Sequence, residues 1–189
     1  YSLVDWYRYL NCGYMVPVVG GTDKMGAYMP VGANRTYAHL GQEEFNFDNW
    51  AKAVRKGNTF MTTGPLLLFQ ADGHAPGSEI TLGAGGGTVE VLAEATSFVP
   101  FHRLEVVLNG RVVAAREEPA GTRRLVLKES IRVPGPGWLA ARCASRLGPT
   151  TAWGLGIQAH TSPVYVRVPG QELFSASAVA YMLTLMEGA

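Results

Sequence analysis

Between Thr59 and Val168 the chain is a series of short β-prone runs separated by turn signals, and this pattern limits the folds open to it. Asn109-Gly110, between two such runs, is typical of a two-residue hairpin because both residues tolerate the positive φ of that turn. Roughly seven to nine strands at this spacing predict an antiparallel β-sandwich. These strands are expected from ten β-prone runs, which cover residues 60–63, 66–71, 80–82, 88–95, 103–108, 111–115, 125–127, 131–133, 138–144 and 164–168.

Helical patterns lie on either side of this β-rich stretch. Apolar residues at helical spacing predict one helix over 2–11 and another over about 48–56, which Asn46 or Asp48 can cap and Gly57 can end. Between them, the apolar run 16–19 reads as a strand that is covered on both faces, and residues 36–40 read as a second strand.

The last helix, expected over 172–186, is apolar all round, and such a helix is normally buried. Both ends of the chain look cut, so we expect a piece of a longer protein. The expected parts are residues 1–57, a β-sandwich over 58–170 and a helical segment over 171–189. Because such a piece exposes surfaces that are meant to be covered, we expect it to self-associate through residues 1–57 or the terminal helix.

Composition excludes several classes of partner. Hydrophobic residues make up 47% of the chain and charged residues 16%, and the net charge is +1. That balance offers no broad electrostatic attraction for nucleic acid or an anionic membrane. No apolar run is long enough to span a bilayer. A periplasmic or secreted location would need a signal peptide ahead of Tyr1, so the compartment stays open.

Four polar residues are candidates for a functional site. Asp23 follows Gly20-Gly21 after one intervening residue, and the two glycines let the backbone bring a carboxylate close to a ligand. A carboxylate there suits a divalent metal ion or acid–base catalysis, and equally a turn. Lys24 suits an anionic group, and Arg35 suits a carboxylate or phosphate. His160, beside two hydroxyl residues, is the most site-like histidine. Each of the four also fits a structural role.

Several short motifs, in order, carry a family resemblance. They are Leu10-Asn-Cys-Gly-Tyr14, Gly20-Gly-Thr-Asp-Lys-Met25, Pro30-Val-Gly32, Arg35-Thr-Tyr37, Gly64-Pro-Leu-Leu67, Trp138-Leu-Ala-Ala-Arg-Cys143 and Ala159-His-Thr-Ser-Pro163. Together they resemble the carbaryl-hydrolase-like (CehA/McbA) metallohydrolases, which are similar to the polymerase and histidinol phosphatase (PHP) superfamily. The resemblance implies that residues 1–57 are the C-terminal portion of a PHP-type α/β barrel, followed by an Ig-like antiparallel β-sandwich.

The same resemblance implies a chemistry for the parent protein. A divalent Zn, Mn or Fe ion would activate water to hydrolyse a small-molecule phosphoester, carboxyl ester or carbamate. Asp23 matches the aspartate of the superfamily's Asp-x-His motif and is the implied metal ligand. Lys24 and His160 are the implied catalytic partners of Asp23, and Arg35 contacts the substrate. Met25 stands at the histidine position, where a thioether is a poor ligand for a hard cation, so we expect this fragment itself to be inactive.

The missing histidine motivates an alternative function. The β-sandwich could be a non-catalytic binding or scaffolding module for a carbohydrate or a protein partner. Trp138 or Trp153, if exposed on a sandwich face, would provide an aromatic platform, and otherwise both belong to the core.

Overall fold

Strands make up most of the computed structural model, which describes residues 3–145 and 156–188. The described helices are α1 (Leu3–Asn11), α2 (Phe47–Lys56) and α3 (Ala176–Glu187). The described strands are β1 (Arg35–Ala38), β2 (Thr59–Thr62), β3 (Leu66–Ala71), β4 (Glu79–Thr81), β5 (Gly87–Leu108), β6 (Arg111–Val133), β7 (Gly137–Ala144), β8 (Gln158–Thr161) and β9 (Val164–Arg167). They form one mixed sheet in the order β1-β2-β8-β7-β5-β3, with β6 on β5, β9 on β7, and β4 parallel to β9.

Two long strands form the middle of this sheet. Asn109 (φ 51°) and Gly110 (φ 85°) take the left-handed conformation, as expected, and join β5 to β6 in a hairpin. Each of these strands merges several of the short strands that the sequence predicted. Register shifts between Thr96 and Arg103 bend the pair. The first half of β5 therefore pairs with β3, and its second half pairs with β7.

The bent sheet encloses a large apolar core. In β3, Leu67 and Phe69 are buried while Leu66 and Leu68 are exposed, which is the period-two pattern of a strand with one dry face. The inward residues of both halves of the sheet meet in a single cluster. Its larger members include Leu67, Phe69, Val89, Val91, Phe101, Leu104, Val106, Leu139, Ile157, Val164 and Val166.

The second half of the sheet is covered on its outer face as well. Tyr7 and Leu10 of α1 pack against Trp138 and Ala140 of β7. The indole N–H of Trp138 donates to Oδ1 of Asn11 at 2.7 Å. Trp138 is therefore a core residue, while Trp153 lies outside the described residues. Burial on both faces explains why β7 is a nearly continuous apolar run.

Residues 16–21 run along the sheet without joining it, so the strand predicted over 16–19 is wrong. The amide of Val18 donates to Oγ of Ser162 at 2.9 Å, and its carbonyl accepts from Oγ1 of Thr59 at 2.9 Å. The amide of Gly20 donates to Oγ1 of Thr36 at 2.7 Å. Side-chain hydroxyl groups take the place of a neighbouring strand because they satisfy the same backbone groups.

The barrel portion expected in residues 1–57 is not supported. A PHP-type barrel needs strands that alternate with helices around a closed sheet, whereas the described part of this segment has one short strand, β1. That strand pairs antiparallel with β2 and extends the large sheet. The coarser prediction of a mainly β protein with a C-terminal helix is confirmed. The domain boundaries at residues 57 and 170 stay predictions.

The two helices after α1 agree with the sequence-based predictions to different degrees. α2 is confirmed, since Asn46 accepts a hydrogen bond from the amide of Asn49 at 2.9 Å and Gly57 ends the helix at φ 82°. α3 begins later than expected and is mostly exposed, because Ala178 alone among its described residues is buried. No described helix is long and apolar enough to cross a membrane. Self-association through residues 1–57 or this helix stays a prediction.

The alternation along β3 gives a matched test of the fold. Leu67 is 1% exposed and Leu68 is 61% exposed. Leu67→Ala should lower the free energy of unfolding by about 2–5 kcal/mol because it opens a cavity in the core. Leu68→Ala should change it by about 0.5 kcal/mol or less. Urea unfolding of both variants measures the difference, and equal effects would contradict the register of β3.

Candidate functional site

A cleft of about 1160 Å³ lies between α1, residues 16–21 and the outer face of the sheet. Trp6 and Tyr9 of α1 form part of one wall, and the backbone of residues 16–21 forms part of the other. The floor is contributed by β2, β5, β7 and β8. Concave sites that combine aromatic walls with a few polar groups are where small ligands bind, so this cleft is the candidate functional site.

Neighbouring strands place a row of side chains on the cleft floor. The register sets Glu105 opposite Arg142, Arg142 opposite His160, and His160 opposite Met61. Paired residues on adjacent strands project to the same face, so these four side chains lie side by side. The strand register therefore fixes the order of these side chains across the floor.

Glu105 is the charged centre of the floor and is only 5% exposed. Its Oε2 accepts from Nε of Arg142 at 2.5 Å, and its Oε1 lies 2.5 Å from Nε of Arg103. Arg103 also pairs with Glu117 at 3.2 Å. A buried carboxylate is costly unless it is paired. The two guanidinium groups therefore offset the cost of burying Glu105, and Glu105 in turn holds them in place.

Tyr7 connects α1 to this floor. Its hydroxyl lies 2.6 Å from Nε2 of His160 and 3.4 Å from Nη1 of Arg142. Nδ1 of His160 lies 2.7 Å from the carbonyl oxygen of Thr161, which can only accept. Nδ1 therefore carries the proton, and Nε2 accepts from the Tyr7 hydroxyl.

Both members of this contact are neutral at pH 7. Burial lowers the pKa of His160 to about 4, and the neighbouring Arg142 cation acts in the same direction. Burial also raises the pKa of Tyr7. The hydrogen bond between them is consequently one between two uncharged groups, and it fixes α1 against the sheet.

The structure brings together two of the four predicted site residues. His160 lies on the cleft floor, and Asp23 lines the same cleft from an exposed loop, where it takes a left-handed φ of 49°. Both ring nitrogens of His160 are engaged within the protein. The catalytic roles of Asp23 and His160 stay predictions.

Lys24 and Arg35 do not line the cleft as described. The ammonium group of Lys24 donates to the carbonyl oxygens of Gly26 and Met29 at 3.0 and 2.6 Å. Arg35 donates to the carbonyl oxygen of Gly32 at 2.9 Å, and its guanidinium lies over the ring of Tyr37. In the structure both cations therefore stabilise the loop between α1 and β1.

The donor set around Asp23 does not fit a divalent metal ion. Within residues 3–145 and 156–188, no group of three or more His, Cys, Asp or Glu side chains is placed to hold one. Met25, at the position of the expected histidine, is 81% exposed. His160 already uses its ring nitrogens on Tyr7 and Thr161. The expected Zn, Mn or Fe ion stays a prediction that these residues do not support.

Sequence reasoning missed the charged residues of the floor. Arg103 and Glu105 lie two residues apart on β5, but Arg142 lies on β7, so no local motif joins all three. The signal in the sequence that could have identified them is a charged residue within an otherwise apolar strand. Glu105 stands between Leu104 and a run of valines, and Arg142 interrupts the buried residues of β7.

Comparison with known proteins returns little. No protein-family model matches this chain, and no curated protein matches it. Among solved structures, the chain is similar to a neutron crystallographic structure of a Jonesia denitrificans lytic polysaccharide monooxygenase. The identity is 14%, the match covers 75% of this chain and 81% of that chain, and the TM-score is 0.31. A similarity of this size carries no conclusion about the function of this chain.

The expected membership of the CehA/McbA family, and of the PHP superfamily, is wrong. No protein-family model and no curated protein of that family matches this chain. The implied hydrolysis of a phosphoester, carboxyl ester or carbamate rested on that resemblance and has no remaining support.

Acidification should weaken the docking of α1. The pKa of His160 is about 4 in the folded protein and ordinarily 6.5, so the unfolded chain binds the proton more readily. The contribution of His160 to stability is therefore complete above about pH 6.5 and is lost as the pH falls toward 4. The expected slope within this window is at most about 1.4 kcal/mol per pH unit. Urea unfolding at a series of pH values measures it.

His160→Gln is the control, because glutamine can accept from the Tyr7 hydroxyl and does not titrate. Its unfolding free energy should depend less on pH between 4 and 6.5 than that of the unmodified protein. Identical pH dependence in the two proteins would show that His160 does not carry this effect.

Proposed function

We propose that this chain is a non-catalytic, mainly β module that binds a carbohydrate in the cleft between α1 and the sheet. The observation that carries the proposal is the pairing of an aromatic wall with a floor rich in hydrogen-bonding groups. A sugar ring has an apolar C–H face and a rim of hydroxyl groups, so it needs both kinds of surface at once.

The aromatic wall is held in position before any ligand arrives. The indole N–H of Trp6 donates to the carbonyl oxygen of Val16 at 2.9 Å, and the ring packs edge-on against His160 at 5.2 Å. Tyr9, one helical turn further, remains 45% exposed. Rigid aromatic rings of this kind present a large contact area at little entropic cost.

The floor supplies both donors and acceptors for hydroxyl groups. Arg103 and Arg142 are donors, and the exposed amide of Gln158 is both a donor and an acceptor. The carboxylate of Asp23 adds an acceptor on the exposed loop. This combination of hydrogen-bond donors and acceptors suits a polyhydroxylated ligand better than a purely apolar one.

The chemistry of the cleft favours binding over catalysis. His160 is neutral and internally hydrogen-bonded, so it is poorly placed to transfer a proton. Burial raises the pKa of the Cys143 thiol to about 12, which removes it as a nucleophile near neutral pH. Neither residue is therefore suited to acid–base or nucleophilic catalysis near neutral pH.

Tyr9→Ala tests the aromatic wall. It should weaken binding to a polysaccharide about tenfold, because a stacked aromatic ring contributes about 1–1.5 kcal/mol. Affinity electrophoresis in gels containing neutral or acidic polysaccharides measures the change. Tyr9 is nearly half exposed, so its truncation should leave the fold intact.

Tyr28→Ala is the matched control, since Tyr28 is 73% exposed and does not line the described cleft. It should bind like the unmodified protein. Failure of the unmodified protein to bind any polysaccharide, or equal losses in the two variants, would contradict the proposed function.

A further inference from the structure

We propose that the saccharide in this cleft carries a carboxylate group, and that Arg103 and Arg142 bind it from the floor. This inference rests on the proposed function and specifies its ligand as an acidic sugar, such as a uronic acid residue.

The two guanidinium groups keep donors free for a ligand. Nε of Arg142 donates to Glu105, and its Nη1 has only a long contact of 3.4 Å with the Tyr7 hydroxyl. Nε of Arg103 lies at ion-pair distance from Glu105 and Glu117. Neither Nη2 of Arg142 nor the Nη atoms of Arg103 contact another group of the described chain at hydrogen-bonding distance. Since a guanidinium has five N–H donors, both side chains retain most of theirs.

Glu105 holds these donors in a fixed arrangement. Arg142 lies directly opposite Glu105 on the neighbouring strand, and Arg103 lies two residues from Glu105 on the same face of β5. Glu105 is buried, while the side chains of Arg103 and Arg142 are 39% and 29% exposed. The carboxylate of Glu105 therefore lies beneath two guanidinium groups, and these guanidinium groups partly reach the cleft. Side chains held this way lose little entropy when a ligand binds.

The charge of the floor favours an anion. Two guanidinium groups share one buried carboxylate, Glu105, so cationic groups outnumber carboxylates in the buried part of the floor. Glu117 pairs with Arg103 from a more exposed position than Glu105. The nearby Asp5 pairs with Arg8 at 2.6 Å. Asp23 lies on the exposed loop rather than on the floor.

A carboxylate matches this arrangement in shape as well as in charge. Its two oxygens can accept parallel hydrogen bonds from the edge of one guanidinium, or can bridge two of them. Arginine is far better suited to this planar contact than lysine. The floor thus discriminates between a uronic acid and the corresponding neutral sugar.

The experiment compares acidic polysaccharides with their carboxyl-reduced forms. Polygalacturonate, alginate and a glucuronate-containing polymer are each tested beside the neutral polymer made by reducing the carboxyl groups. Affinity electrophoresis and calorimetry of the unmodified protein should show at least tenfold tighter binding to one or more of the acidic forms. That preference should shrink when the salt concentration is raised.

Arg103→Gln should remove most of this preference, with a loss of about ten- to a hundredfold for the acidic polymer and little change for its reduced form. Arg103→Lys should recover only part of it, because a lysine keeps the charge but not the planar fork. The matched control is Arg124→Gln, whose ion pair with Glu94 at 2.8 Å involves strands β5 and β6 away from the described cleft. It should bind like the unmodified protein.

The outcomes separate this inference from the proposed function. Equal binding of acidic and reduced polymers would overturn the carboxylate assignment and leave carbohydrate binding standing. Tighter binding of a sulfated polymer than of every carboxylated one, or equal losses for both forms in Arg103→Gln, would also overturn it. Binding to no polysaccharide at all would overturn the inference together with the proposed function.

Discussion

The hydrogen bond between the Tyr7 hydroxyl and Nε2 of His160 joins residues that are 153 positions apart, and the candidate site depends on it. It attaches α1 to the outer face of the sheet, where Leu10 and Trp138 supply the accompanying apolar contact. Together these contacts place the aromatic wall opposite the floor. A buried polar contact between neutral groups, with the apolar packing around it, therefore sets the geometry of the cleft.

The cleft floor contains charged side chains at positions that apolar side chains could also fill. Glu105 lies among apolar residues of β5, and its burial is tolerated because Arg103 and Arg142 both contact it. Replacing the three by apolar side chains would leave the sheet with a continuous apolar outer face. That the chain instead retains a buried ion cluster beneath an open cleft is consistent with a binding role for these residues.

Structural features that depend on a few neighbouring residues were predictable from the sequence. Features that depend on contacts between distant residues were not. The hairpin at Asn109-Gly110 and the caps of α2 follow from conformational preferences of a few residues, so they were predictable. The path of residues 16–21 was not, because hydroxyl groups from three remote positions determine it. β8 was missed because Gln158–Thr161 is short and mixed in polarity. Asp23 was found because it follows an apolar run and two glycines, and His160 because two hydroxyl residues lie beside it. The ion cluster of Arg103, Glu105 and Arg142 depends on strand register that no local pattern reveals.

Hydrogen–deuterium exchange with and without a bound polysaccharide tests whether the ligand binds between α1 and the outer face of the sheet. Binding there should slow exchange in α1, in residues 16–21 and in the parts of β7 and β8 that contain Arg142 and Gln158, and should leave exchange around Leu68 on β3 unchanged. Protection centred on β3 and the first half of β5, with none in α1, would contradict it.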